Sequence, residues 1–512
     1  MQSKFTIGGY FIFGKKEMLS MEEKKMMRGS LTEGPIAKKL LLFALPIILG
    51  NMVQQLYNVV DTIVVGNFVS SDALAAVSVS FPVMMIFNSL FMGLSMGSNI
   101  IIAQYRGAGD HEKLERALNN TASITFVMGA IITVLGLLFS RNILEFLNTP
   151  ANIIDDSTAY LRIVFGGTLG NMMYNTCNGI ARGMGDSKWP LYTLIVSSCI
   201  NIVLDLLFVI KFNMGVAGVA WATLIAHIFS GFIMLLRICQ GKYGAKVTFK
   251  GMLHMDWSMV GLVVKLGLPS AVQNVAMSIG STIMQTFSNR FGSDYLAAHA
   301  VVQKADGFAM MPIMGLGMAV TTFVGQNIGA GNTERSKKGT NVATWICVCI
   351  GAITAVILYF FGIYIMRAFT SNPVVLDMGE KGLKFLAFFY IFMGMNNCMG
   401  GACRGAGATV VPAAMSMAGT FIRIPLAYFL AINPLNRFIE AAVAAGEYAS
   451  VEVATAAGCG ISENFMGLFY TQGFSMVIGA AMMFVYYKWG NWHTKGVTAK
   501  MGAQRREEAK AE

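Results

Sequence analysis

Long apolar runs separated by short polar connectors recur along almost the whole chain, at about 37–66, 72–105, 113–140, 157–182, 189–210, 215–237, 258–289, 294–327, 339–367, 378–404, 410–432 and 461–488. A helix needs roughly 20 predominantly apolar residues to cross a bilayer, so each run is long enough to span. The pattern predicts an all-α polytopic membrane protein with twelve transmembrane helices.

Composition supports this reading and adds an orientation. Of the 512 residues, 55% are hydrophobic and 13% charged, with a mean hydropathy of +0.58. Soluble domains carry about 25% charged residues. The net charge of +11 raises the question of nucleic acid, but its placement answers it. With the N-terminus inside, 27 of the 38 Lys and Arg fall on the inner side and five in outer loops (Arg141, Lys211, Arg290, Arg367, Arg437). This positive-inside bias predicts a multi-pass protein of the cell membrane with both termini cytoplasmic. No soluble domain remains to carry a nucleic-acid face. The eight cysteines lie almost all in spans and suit packing rather than a disulfide or zinc framework. The opening FTIGGYFIFG lacks the cleavage site of a signal peptide, and Met18, Met21 and Met26 are alternative starts.

The chain also repeats itself. Q-x-x-G-A-G occurs at Gln104–Gly109 and again at Gln326–Gly331, 222 residues on. SDALAA (Ser71–Ala76) answers SDYLAA (Ser293–Ala298), and ARGMGDSKWP (Ala181–Pro190) answers CRGAGATVVP (Cys403–Pro412), in the same register. ALPIILGN (Ala44–Asn51) answers GLPSAVQN (Gly267–Asn274) with an offset one residue longer. Six spans per half is an even number, so both halves enter from the same side and form parallel repeats. The expected organisation is a cytoplasmic extension 1–35, a first lobe 36–240, a linker 241–257, a second lobe 258–488 with an extended outer loop 433–463, and a basic tail 489–512. The segment Asn433–Asn464 has the composition of a surface helix.

Few acids lie within spans: Asp61, Asp205 and Asp306. A charge at the bilayer centre costs about 2.5–3.5 kcal/mol on insertion scales, so such residues tend to face an interior pathway. Asp205 lies six residues before Lys211, or about 9 Å from the outer end at 1.5 Å per residue. Asp61 sits at a similar depth on the first helix, and Thr223 at roughly 12 Å on the sixth. Asn201 is one turn below Asp205 on the same face. Three helices therefore bring oxygen-bearing groups to one depth in one lobe, which suits a shared site. Asn51, Gln54, Asn58 and Asp61 form a polar stripe on the first helix, marking either a wettable interior surface or helix–helix hydrogen bonding. Lys304 and Asp306 lie about 15–18 Å into the eighth span. At i,i+2 they point apart, and either line a substrate path or balance charge. Arg423 and His227 suit packing and hydrogen bonding. The 37 methionines mostly fill apolar contacts, some of them giving a cavity a pliable wall.

The two six-span halves, the doubled QxxGAG and RGxGx4P loops and the run LPIILGNMVQQLYNVVDTIVVG together resemble the multidrug and toxic compound extrusion (MATE) family. The resemblance covers roughly residues 34–490 and is nearest the prokaryotic branch with an aspartate in the first helix. It implies a two-lobed antiporter that exports small cationic amphiphiles against an inward proton or sodium gradient, without a cofactor, and is expected to act as a monomer. The branch's cation site corresponds here to Asp61, Asn201, Asp205 and Thr223, which are also possible sodium ligands. Pro46 matches the proline at which the first helix bends. The second lobe departs from this pattern: Met284 and Ala427 stand where the first lobe has Asp61 and Asp205. Met277 stands where another branch carries an acid.

Enzyme motifs are incomplete. GAGD and GMGD lie in or beside basic inner loops, HEKLE lacks a second histidine, and Asp155-Asp156 lacks a second acidic cluster. The alternative function is a flippase for lipid-linked saccharides or lipid precursors, which would want a basic cavity for pyrophosphate rather than an acidic pair.

Overall fold

A computed structural model describes the backbone of residues 30–68 and 71–498, while the side chains of residues 58, 61–78, 81, 456, 462 and 463 lie outside the described set. Its first half holds α1 (Ile36–Phe68), α2 (Ser71–Ala108), α3 (His111–Phe146), α4 (Ile154–Gly166), α5 (Thr168–Gly183), α6 (Lys188–Leu206) and α7 (Gly215–Cys239). The second holds α8 (Trp257–Ser288), α9 (Gly292–Gly329), α10 (Thr333–Arg367), α11 (Pro373–Ala387), α12 (Tyr390–Gly405), α13 (Val410–Phe421), α14 (Arg423–Ala427), α15 (Asn433–Ala444), α16 (Val451–Ala456) and α17 (Met466–Trp489).

Among the described residues, nine stretches are long and apolar enough to cross a membrane. One of them, Trp257–Gly329, contains two expected spans, α8 and α9, which part at Gly292 where φ is +75°. The α11/α12 pair adds a span bent by 48°. The fourth expected span is likewise broken, into α4 and α5 at Gly167. The two breaks fall at equivalent positions of the repeat. Hydropathy alone predicted two unbroken helices there, because a run of apolar residues carries no mark of a bend.

Exposed apolar side chains such as Leu138, Val203, Ile353 and Phe360 cover the outer faces of the helices. Only hydrocarbon tolerates so much apolar surface, so these faces meet lipid. Where helices meet one another, small residues let backbones touch. On α2, Gly93 lies so close to α8 that an added Cβ would stand 2.6 Å from the Ala271 Cβ. Its counterpart in the repeat, Gly315 on α9, packs in the same manner on Ile48 of α1. These crossings join the two halves into one two-lobed body.

The doubled QxxGAG motif has a symmetric role at the basic end. Gln104 Nε2 donates to the Gly405 carbonyl of the other half at 2.9 Å, and its Oε1 accepts from the Val497 N–H at 2.7 Å. Gln326 Nε2 donates to the Gly183 carbonyl at 2.9 Å and its Oε1 accepts from the Leu31 N–H at 2.9 Å. Gly183 and Gly405 are themselves equivalent positions, so the same bond is made twice, in opposite directions across the seam. A Cβ on Gly107 would overlap the Gln326 carbonyl, and one on Gly329 the Gln104 carbonyl. Gly109 and Gly331 then turn the chain at φ +67° and +76°, a region that favours glycine. Three of the motif's four fixed residues are thereby accounted for: a latch, a point of contact and a turn.

At the opposite end, α15 lays Leu435, Ile439 and Ala442 on the apolar core of the second lobe. The predicted surface helix is present, but short, and a separate helix α16 follows it.

Candidate functional site

Helix α6 carries a polar stripe at a spacing of four: Thr193, Ser197, Asn201 and Asp205 are all buried. A spacing of four keeps side chains on one face, and this face meets α7. Ser197 Oγ donates to the Ala226 carbonyl at 3.4 Å. With its amide turned to satisfy both neighbours, Asn201 donates to Asp205 Oδ2 at 2.8 Å and accepts from the Thr223 N–H at 3.1 Å. Asp205 is fully buried and Asn201 nearly so, while Thr223 is half-buried. Three of the four predicted cation-site residues are therefore in direct contact. The sequence also offered Thr193 and Ser197 at the same spacing, two further members of the stripe that motif reasoning passed over.

Directly after Asp205, α6 widens into a π-helical turn, Leu207–Lys211. Such turns open the backbone ladder and recur at functional sites. The other lobe has the same device after Ala427, at Tyr428–Ile432. The backbone architecture is thus shared, and only the side chains differ.

The fourth predicted residue, Asp61, lies on α1, and its side chain and that of Asn58 are outside the described residues. Its chain neighbour Val60 packs against Val209 and Val219. Those two valines stand one turn from Asp205 and Thr223 respectively, so α1 at this level runs beside the Asp205 cluster. Further along α1, exposed Leu42, Leu45, Leu49 and Leu56 mark the lipid face. Gln54 is also exposed yet sits roughly opposite them at about 100° per residue. Pro46 lies inside α1, which is continuous from Ile36 to Phe68.

In the second lobe the equivalent position is filled differently. Ala427 is fully buried and Met284 packs against the same apolar core. Arg423, which stands where the first lobe has Asn201, donates from Nε to Ser475 Oγ on α17 at 2.8 Å. Asp306 of α9 lies beside the Tyr390 hydroxyl and in the field of Arg423. A tethered guanidinium thus lends a favourable field to this half-buried acid, with no ion pair between the two among the described residues. Lys304 points elsewhere, with Nζ 4.9 Å from the centre of the Phe369 ring. The two neighbouring charges serve separate surroundings, as their i,i+2 spacing predicts. His227 follows Thr223 by one turn, and its carbonyl accepts from Ser230 Oγ at 3.0 Å.

This arrangement makes a prediction about stability. Arg423→Gln is expected to destabilise the protein by about 1–3 kcal/mol, the cost of leaving a buried polar group without its partner. Adding Asp306→Asn should recover most of that loss. Thermal unfolding of the single and double variants measures it, and equal melting of Arg423→Gln and wild type would remove the charge-balancing role.

Other sequence features resolve locally. Asp110 of GAGD caps α3, accepting from the Lys113 N–H at 3.0 Å. Asp186 of GMGD accepts from the Lys188 and Trp189 N–H groups at the start of α6. Among the described residues, no cluster of three His, Cys, Asp or Glu could hold a metal ion. The cysteines are free thiols, and two that sequence spacing did not pair, Cys347 and Cys398, have Sγ atoms 3.1 Å apart.

A family model described as MatE matches residues 46–207 and 269–429, one stretch in each half. The chain is 31% identical over 396 residues to "Probable multidrug resistance protein YoeA" of Bacillus subtilis, covering 76% of this chain and 86% of that protein. It is 28% identical over 461 residues to "Probable multidrug resistance protein YpnP" of the same organism, covering 90% and 97%. A solved outward-facing multidrug resistance MATE family transporter superposes with a TM-score of 0.78 at 22% identity, over 90% of this chain and 97% of that one.

Proposed function

Because the chain belongs to the MatE family of multidrug efflux transporters, multi-pass membrane proteins that are not enzymes and need no cofactor, we propose that it exports small cationic amphiphiles in exchange for protons or sodium. The observation that carries this reading is the asymmetry between lobes. One lobe buries Asp205 against the neutral amide of Asn201, which also bonds Thr223, and the other holds a tethered arginine near its acid. The first lobe has Asn201 where the second has that arginine, so a mobile cation is the countercharge that suits its acid.

The coupling follows from charge. Buried beside the Asn201 amide, Asp205 gains from a proton or a sodium ion, and Asp61 on α1 is the second acid of this proposed site. Loading neutralises the acids and removes the reason for a hydrated cleft around α1. The helix can then bend at Pro46, where the missing backbone donor already weakens the ladder. Bending narrows that cleft and expels the drug. Both termini lie in the cytoplasm in this scheme, following the positive-inside bias, and the monomer is the working unit.

By linkage, the ion must weaken drug binding by the same factor that the drug weakens ion binding. Adding a hydrophobic monocation to purified protein is expected to release protons near neutral pH or to displace sodium, and Asp61→Asn should abolish the release. Drug affinity that stays flat against both pH and sodium would defeat the scheme. In vesicles, export of quaternary dyes should exceed that of anions of similar size. Transport of lipid-linked pyrophosphates instead of dyes would replace this reading with the flippase.

A further inference from the structure

At the basic end, a cavity of about 590 Å³ opens between the segment leading into α1 and the turn leading into α6. Its wall carries Lys39, Lys188, Arg237 and Lys242 against a single acid, Asp186. That acid is already occupied. Oδ1 accepts the Lys188 and Trp189 N–H groups at 3.0 and 3.1 Å, and Oδ2 accepts from the Tyr243 hydroxyl at 3.0 Å and from Arg237 at 3.4 Å. Burial first, and Asp186 second, push the Tyr243 hydroxyl up from its ordinary pKa, which keeps it a donor. Arg237 is also stacked over the Trp189 ring at 4.1 Å. Lys188 and Lys242 are exposed, and among the described residues no carboxylate pairs with either. Lys39 Nζ donates to the Ser30 carbonyl at 3.0 Å and, among the described residues, pairs with no carboxylate. Among the described residues, three ammonium groups thus surround one cavity with no carboxylate paired to them.

The floor is apolar, made of Leu31, Leu42, Phe43 and Met184. Leu42 also lines a second groove of about 220 Å³ farther along α1, whose other walls include Leu41, Leu45, Ile48, Leu316 and Ile350. A basic cavity therefore adjoins an entirely apolar groove at the edge of the lipid face. The first cavity also straddles the seam between the halves. Its Ser30–Leu31 wall is held by the second half through the Leu31 N–H bond to Gln326 Oε1, while Lys188, Arg237 and Lys242 belong to the first.

We propose that this is a site for one acidic phospholipid, with the phosphate headgroup among Lys39, Lys188 and Lys242 and an acyl chain along the Leu41–Ile48 groove. A phosphodiester supplies the missing negative charge, and its oxygens accept from several ammonium groups at once. A basic pocket between helices at the positively charged end faces the leaflet that holds acidic lipids. A zwitterionic lipid brings its own cation into the cavity and gains less. Bound there, the lipid bridges both halves beside the Gln326 latch and stabilises the arrangement in which the basic end is closed.

The test uses the purified full chain in detergent, read by native mass spectrometry and thermal unfolding, and does not depend on which drug or ion is transported. Phosphatidylglycerol should be retained and should raise the melting temperature, and phosphatidylcholine should do neither. Lys188→Gln with Lys242→Gln should weaken phosphatidylglycerol retention by roughly 30-fold, about fivefold per lysine. Both side chains are exposed, so the fold should survive. Equal retention by the double variant would overturn the assignment. So would equal protection by sn-glycerol 3-phosphate, which has the phosphate but no chains and would mark a site for free phosphate esters.

Discussion

Asp205→Asn is expected to reduce drug resistance to the level of cells without the transporter, while the protein remains inserted and folded. Asparagine keeps the shape and can still pair with Asn201, but it holds neither a proton to exchange nor a negative charge for sodium. Asp61→Asn should behave alike, since α1 at its neighbour Val60 packs on Val209 and Val219 at the level of the Asp205 cluster. Asn201→Ala tests the geometry more gently. It removes the donor to Asp205 Oδ2, at 2.8 Å, and should cost the site about 1–3 kcal/mol rather than its function outright. Ala427→Asp in the second lobe should not rescue Asp205→Asn, because that position is closed inside an apolar core beside Arg423. Normal efflux by Asp205→Asn at wild-type expression would end the assignment of this cluster.

The second large effect concerns the seam. Gln104→Met with Gln326→Met keeps side-chain volume but deletes four hydrogen bonds, two from each glutamine. At about 1 kcal/mol net per bond, the closed basic end should lose roughly 4 kcal/mol. That is close to a thousandfold in population, enough to move most molecules to a form open at that end. Either single variant should shift the balance by about half as much in free energy. Spin labels on the two halves at that end would report the change as longer distances. Unaltered distances in the double variant would show that the small-residue crossings alone hold the seam. Gly107→Val is expected to act more harshly, since any Cβ there overlaps the Gln326 carbonyl.

Much of this protein was legible in its sequence, for reasons that are local. Twelve apolar runs are a property of composition along the chain, and burying backbone polar groups in lipid leaves a helix as the only way to satisfy them in each run. The internal repeat showed in matching residues at an offset of 222, with one match a residue longer. Asn201 and Asp205 stand four residues apart, so the helical period by itself puts them on one face and within reach of each other. The unequal chemistry of the lobes followed from reading Met284 and Ala427 at the positions of the two acids.

Only the tertiary structure decided what those residues touch. QxxGAG was visible as a motif, but its glutamines find their partners in the opposite half, at distances along the chain that no periodicity encodes. Arg423 read as a packing or hydrogen-bonding residue, and only folding set it near Asp306 of α9 and against Ser475 of α17. The breaks at Gly167 and Phe388–Phe389 were hidden inside uniform apolar runs, because hydropathy measures affinity for lipid and not the direction of an axis. The basic cavity at the seam joins lysines from residues 39, 188 and 242. Each alone reads as an ordinary inner-loop charge, and the packing of α1 against α6 and α7 gives them a common wall.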